Sequence, residues 1–338
     1  MHAMTTKTWL GLTLAAAMLP AAPALAQSPS VPPPDPASIW SLQGENASIS
    51  TAHLADRDYT NGIRLGWTSA EGGVPGFLQG VGQTLWGDGR QRIAVDLTQQ
   101  IYTPTNNTVA FPPLNDRPYA GVMMGTASLI HDNGSALSVL GLGLGVVGPA
   151  ALGEQVQNGF HSLIGQTQTK GWDTQLHDEP LLQVNGQRTW RLPMGAFGGL
   201  ETDALPELTA AVGNLRDYAQ AGVTMRLGQG LDSDYGVARL LPGLTGTDVF
   251  RPTRLVAWYV FVGADAQAVA YDVTLQGNPW HDSRSVTIVP VVGELQAGLA
   301  VMFHGVRLTY TQVVQTQEYQ HQKGGPHQFG SLAASVRF

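Results

Sequence analysis

His161 is the residue in this sequence best placed to move a proton. It follows Gln157 by one helical turn and Glu154 by two. All three fall on the polar side of a segment whose apolar residues Leu152, Val156, Phe160, Leu163 and Ile164 recur at helical spacing. A neutral imidazole can take a proton from water near neutral pH, and an amide or carboxylate a turn or two away can orient its ring. The spacing predicts an amphipathic helix over 149–166, with Pro149 in its first turn. Its apolar stripe centres near Val156, so His161 faces away from the surface that anchors the helix. The plain alternative is a structural or merely exposed histidine. The chain has no cysteine, which removes thiol catalysis, disulfides and Cys-ligated zinc together.

Such a helix needs a scaffold, and the rest of the sequence predicts one. Met1 to Ala26 combines Lys7, an apolar run from Trp9 to Ala22 and the small-x-small site Ala24-Leu25-Ala26, the pattern of a secretory signal peptide. Residues 27–37 carry Ser and Pro without an apolar period and read as a disordered periplasmic tether. Without the leader, 17 basic residues face 25 acidic ones, so no polybasic surface for nucleic acid is expected. The uncharged stretch 134–153 alternates Leu140, Leu142, Leu144 and Val146 with Gly141, Gly143 and Gly145, which is the period of a strand and not of a membrane helix.

About twelve segments fit the outer-membrane template of apolar-out, polar-in alternation. They are 38–50, 60–70, 92–103, 118–131, 135–147, 180–191, 206–214, 217–228, 255–272, 286–303, 305–317 and 327–338. The predicted fold is all-β, a transmembrane antiparallel β-barrel over 38–338 with both ends in the periplasm. With strand one running outward, the tight turn Asp132-Asn133-Gly134 falls on the periplasmic side, where short turns belong. The same parity makes 51–59, 104–117 and 148–179 outer loops, the last carrying the His161 helix, and leaves 229–254 as a long periplasmic segment. The final strand alternates down to Phe338, and its terminal aromatic resembles the assembly signal of bacterial outer-membrane barrels.

Several ordered stretches resemble the outer-membrane lipid A 3′-O-deacylase (LpxR-like) family, over nearly the whole mature chain. They are Glu45-Asn46, Asp56-Arg57-Asp58-Tyr59-Thr60-Asn61-Gly62, Asn115-Asp116-Arg117-Pro118-Tyr119-Ala120-Gly121 and Val147-Gly148-Pro149. Further on come Gly153-Glu154-Gln155 with His161, Gly171-Trp172-Asp173-Thr174-Gln175-Leu176, Leu275-Gln276-Gly277, and Tyr310-Thr311-Gln312 before Thr316-Gln317-Glu318. The resemblance implies a twelve-stranded barrel that removes the 3′ acyloxyacyl group of lipid A in the outer leaflet. The partners it implies are lipopolysaccharide, the outer membrane, and the barrel-assembly machinery acting through the strand that ends at Phe338. It also implies chemistry like that of calcium-dependent secreted phospholipases. In that scheme Ca²⁺ polarises the ester carbonyl and stabilises the oxyanion, while the family histidine, matched by His161, deprotonates water.

The family pattern Glu-Asn-Asp reads Glu45-Asn46-Ala47 here, so the carboxylate expected to bind metal is absent. The resemblance leaves Asn46 as a ligand, with Glu45, Ser48, Asp56 or Asp58 as compensating oxygens. It also assigns a hydroxyl ligand near the far end of strand two, at Ser69 or alternatively Thr68. Pairing Asn46 with Ser69 sets the hairpin turn between Arg57 and Asp58 and points both side chains at lipid. In the Asp116-Arg117-Pro118-Tyr119 run, Asp116 and Arg117 read as a cap or pair at a loop end and Pro118 as the entry to strand four, in preference to direct catalysis, and Thr60 and Asn61 read as shapers of the outer hairpin. Trp172 reads as an anchor for a loop folded back at the membrane interface. Two further readings stand beside the esterase: a barrel that has lost its chemistry through Ala47 and binds lipid or serves as structure, and a porin, which a narrow twelve-stranded barrel disfavours.

Overall fold

A computed structural model describes residues 34–50, 57–240 and 246–338; the expected signal peptide, residues 27–33 of the tether and Asp56 lie outside them. Thirteen antiparallel strands follow in order: β1 (Ile39–Asn46), β2 (Asp58–Thr68), β3 (Arg90–Thr103), β4 (Ala120–Asp132), β5 (Ala136–Val147), β6 (Glu179–Trp190), β7 (Leu192–Phe197), β8 (Leu200–Gly213), β9 (Arg216–Gln229), β10 (Val256–Asp272), β11 (Val291–Phe303), β12 (Val306–Gln315) and β13 (His327–Arg337). Twelve of them close into a barrel. β1 pairs with β13, Ile39 opposite Arg337 and Asn46 opposite Gly330, and β6 pairs with β8. β7 pairs with the start of β8, Leu192 opposite Ala204, and extends that hairpin beyond the wall.

Closure follows from the side chains. Ser41, Gln43, Glu45, Arg64 and Asp96 point inward and are buried, whereas Trp40, Leu42, Ile63, Leu65, Val95 and Leu97 point outward and are exposed. An apolar outer wall needs lipid around it, and in lipid every backbone amide needs a partner, which only a sheet without edges supplies. No helix among the described residues is long and apolar enough to cross a membrane. The turn at Gly134 (φ 87°) is shaped by Asp132, whose carboxylate accepts from the Gly134 amide at 2.7 Å.

The strand assignments from alternation agree closely with these bounds, and the differences have physical causes. The first strand ends at Asn46 instead of residue 50, because Ala47–Ile49 form a turn of 3-10 helix. The tenth expected strand, 286–303, is β11 and begins at Val291, with a single bridge between Ile288 and Tyr319 before it. A helix, α1 (Gly76–Trp86), lies between β2 and β3 where none was expected. The last residues of the expected tether are pinned: Asp35 bonds Arg92 at 2.6 Å and Arg337 at 2.7 Å.

The long segment after β9 does not hang in the periplasm but returns into the lumen. The Ala238 carbonyl accepts from Gln43, and the Leu240 amide donates to Glu45, both at 3.0 Å. Arg226 clasps Asp203 (2.9 and 2.5 Å), Asp234 (2.6 Å) and the Leu231 carbonyl (2.7 Å). Arg307 bridges Asp234 at 3.0 Å and Asp248 at 3.2 Å, and Arg64 pairs with Asp248 as well. Inward-facing charges thus find partners on a plug that occupies part of the lumen.

Candidate functional site

The outer wall near the long-loop end carries a patch that breaks the lipid-facing pattern. Asn46, Asn61, Ile101 and Gly121 stand side by side on one rung of β1 to β4. The next outward rung holds Gly44, Ile63, Gln99 and Met123. Below it the wall returns to Leu42 (58% exposed), Leu65 (48%) and Leu97 (54%). Asn46, Asn61 and Gln99 are therefore three amides on a surface otherwise built for hydrocarbon. The Asn46 amide donates to Asn61 Oδ1 at 3.1 Å, and the Gln99 amide donates to the Ala151 carbonyl at 2.8 Å.

Helix α2 (Gly153–Ile164) covers part of this patch. Two glycines in its sequence make it a poor autonomous helix, so packing must hold it. Gly153 sits against Gly121 of β4, where a β-carbon on Gly153 would come within 2.6 Å of the Trp172 ring. Trp172, Tyr119 and Ile101 form a buried cluster against which Val156 packs, the Tyr119 and Trp172 rings 4.9 Å apart. Gly153→Val should accordingly push the helix off the wall while leaving the barrel closed; limited trypsin digestion at exposed Lys170 checks this, faster loop cleavage with unchanged heat-modifiable mobility being the expected result.

The polarity of α2 is inverted relative to a helix on a water-soluble protein. Gln157 and His161 are buried, whereas Leu152, Phe160, Leu163 and Ile164 are exposed, Leu163 at 82%. The apolar stripe faces membrane, and the polar side turns inward onto the returning segment 167–172. Gln157 Oε1 accepts from Trp172 Nε1 at 3.0 Å. The His161 Nδ1 donates to the Thr167 carbonyl at 2.7 Å, which makes Nε2 the basic nitrogen of the neutral ring. The Thr167 carbonyl thus orients the ring, and Glu154 lies half-buried in the first turn.

The other expected site residues separate into those near this patch and those remote from it. Asn61, expected only as a hairpin shaper, is the rung partner of Asn46, while Thr60 sits at a bulge with its hydroxyl 2.7 Å from Thr103 Oγ1. Ser69 is not opposite Asn46: it follows Thr68, which pairs with Ile39 at the other end of the wall. Eight residues of strand separate Ser69 from the Asn61 rung, about 26 Å. Its hydroxyl donates to the Ala70 carbonyl and accepts from the Ile93 amide, both at 3.0 Å. Asp58 is already the first residue of β2 and Asn46 pairs with Asn61, so both the Arg57–Asp58 turn and the Asn46–Ser69 pairing are corrected.

Asp116, Arg117 and Tyr119 tie loops together. Asp116 accepts from the Thr105 amide at 2.9 Å and from the Tyr319 hydroxyl at 2.8 Å. Arg117 reaches Glu318 and Thr274, both at 3.1 Å, and lies over the Tyr102 ring. Burial opposes the Arg117 charge, but the carboxylates of Glu318 and Asp58 outweigh it and hold its pKa above the usual value.

Among the described residues, those proposed for calcium do not form a site that fits it. Glu45 points into the lumen, where its carboxylate accepts from Tyr59 (2.9 Å), Gln43 and Leu240 (both 3.0 Å). Ser69 is at the far end, and Asp58 is buried beside His327 and Arg57. Asn46 Oδ1 accepts from the Ser48 amide at 2.6 Å. Among the described residues no three His, Cys, Asp or Glu side chains gather as a metal cluster. A cation that wants six or more hard oxygens, usually with a carboxylate among them, is not matched by Asn46 and Ser48.

A closed twelve-stranded barrel with a lipid-facing belt, a plugged lumen and a polar patch under an outer-wall helix is an outer-membrane protein. The chain belongs to the LpxR family of outer-membrane proteins, whose family model matches residues 11–338. Its fold is similar to that of LpxR from Salmonella typhimurium, with a TM-score of 0.74 at 21% identity over 89% of this chain and 100% of that one. The β domain of the Bordetella autotransporter BrkA aligns at a TM-score of 0.41 and 11% identity, over 90% and 99% of the two chains. The NalP translocator domain from Neisseria meningitidis aligns at 0.35 and 12%, over 89% and 88%. No curated protein matches in sequence.

Proposed function

We propose that this protein hydrolyses the 3′-O-linked acyloxyacyl ester of lipid A, with His161 as general base. The observation that carries the reading is the amide patch of Asn46, Asn61 and Gln99 on an otherwise apolar outer wall, approached by a helix whose buried side holds an oriented histidine. The helix starts over Gly121 of β4, and Val156 packs on the cluster containing Ile101 of β3. Continuing that line, His161 lies about 12 Å along the axis from Gly153, against about 10 Å for the two strand spacings from Gly121 to Asn61.

In this mechanism a water attacks the ester carbonyl and His161 Nε2 takes its proton. The tetrahedral intermediate collapses, the 3′ alkoxide leaves with the proton returned by His161, and a free carboxylic acid remains. Amide N–H groups of the patch stabilise the developing oxyanion. The described residues supply no donor set that fits calcium, so the oxyanion is assigned to the amides alone. EDTA is accordingly expected to leave deacylation unchanged, read by mass spectrometry of lipid A from expressing cells. Loss of activity on chelation would instead implicate Asp56, which lies outside the described residues.

A second reading, a lipid-binding barrel without chemistry, is favoured by Ala47, whose side chain is fully buried where the family has an acid. It predicts intact lipid A under every condition. Assembly through the strand ending at Phe338 belongs to both readings; Phe338 is exposed and its backbone pairs with Ser38.

A further inference from the structure

We propose that α1 is an interfacial helix embedded in the periplasmic leaflet, so that the protein grips both leaflets and not only the one that holds its candidate site. The helix carries no charged residue over its 11 positions and packs outside the barrel on the ends of β3 and β4. Gly82 lies against the Gln91 side chain, Gln91 donates to the Gln79 carbonyl at 3.1 Å, and the Trp86 ring stands 5.6 Å from that of His131. These contacts fix one face, Gln79, Gly82 and Trp86, on the wall.

Two flanks remain, and they differ in chemistry. At 3.6 residues per turn, Phe77, Leu78, Val81 and Leu85 fall on one flank and Gln83, with Gly76 and Gly80, on the other. Phe77 is 73% exposed and Val81 40%, while Leu78 and Leu85 are half-buried. On a wall at right angles to the bilayer, one flank of such a helix faces the membrane and the other the periplasm. The lipid belt of the same wall extends toward this end, where Val95 and, on β1, Trp40 are exposed, and the proposal turns the apolar flank toward it. An uncharged, glycine-spaced helix with an aromatic residue at each end suits the headgroup boundary.

The occupant is therefore phospholipid of the inner leaflet, and the cysteine-free chain allows a direct test. Phe77→Cys, Val81→Cys and Gln83→Cys are each labelled with a nitroxide in the full barrel, reconstituted in phosphatidylethanolamine/phosphatidylglycerol vesicles. Labels at 77 and 81 should relax several-fold more with oxygen than with a water-soluble nickel chelate, and the label at 83 should show the reverse. All three sites are exposed, so folding should be unaffected; heat-modifiable mobility verifies it. Water-like accessibility at both 77 and 81 would overturn the proposal. So would spin–spin broadening there, which would assign the flank to a second copy of the chain.

Discussion

His161→Asn should reduce removal of the 3′ acyl chain by roughly 10²- to 10⁴-fold, the usual contribution of a positioned general base. Asparagine keeps an N–H that can still donate to the Thr167 carbonyl, so the returning segment 167–172 should stay in place while the basic Nε2 is gone. The measurement is mass spectrometry of lipid A from cells making equal amounts of folded wild-type and variant barrel. Persistence of the 3′-deacylated species in the variant at the wild-type rate would remove His161 as base. If neither protein alters lipid A, the chemically silent reading stands, and Ala47 becomes the position to restore.

The second large effect concerns the lumen. Replacing Arg226 with Leu should cost about 3–5 kcal/mol, because Asp203 and Asp234 would be left buried without their common cation. Arg254→Leu, which removes an exposed pair with Glu201, should cost under about 1 kcal/mol. Urea unfolding in vesicles, read by mobility on unheated gels, would compare the two. The plug is anchored through the same arginine, by the Leu231 carbonyl and Asp234, so Arg226→Leu should also admit ion current in planar bilayers where the wild type is silent. Equal stability of the two variants would mean that the network does not hold the plug.

The strands and the His161 helix were legible in the sequence because they obey local periods. Alternation between hydrocarbon and a polar lumen writes itself into Ile93–Val95–Leu97 or Leu295–Leu299–Val301, and one apolar stripe marks α2 whichever way it faces. The same rule marks the patch: Asn61 and Gln99 are amides in outward register, a signal that is present in the sequence and that Ser69, at the other end of β2, does not share. What periodicity could not give were pairings set at a distance. The β1–β2 register depends on the length of an outer loop, and the plug depends on arginines on β2, β9 and β12 meeting acids on a segment with no period of its own. α1 escaped because three of its 11 residues are glycine, so its helical state comes from the wall it lies on.

The outward register of Asn46 and Asn61 has a consequence for the energetics of substrate capture. A site inside a lumen would require each acyl tail to leave the hydrocarbon before reaction, at about 0.8 kcal/mol per methylene, or roughly 10 kcal/mol for a chain of a dozen. A site on the outer wall avoids that transfer. On the proposed reading, lipid A would arrive by lateral diffusion within its own leaflet, still solvated by its neighbours, and only the ester would have to turn toward the protein.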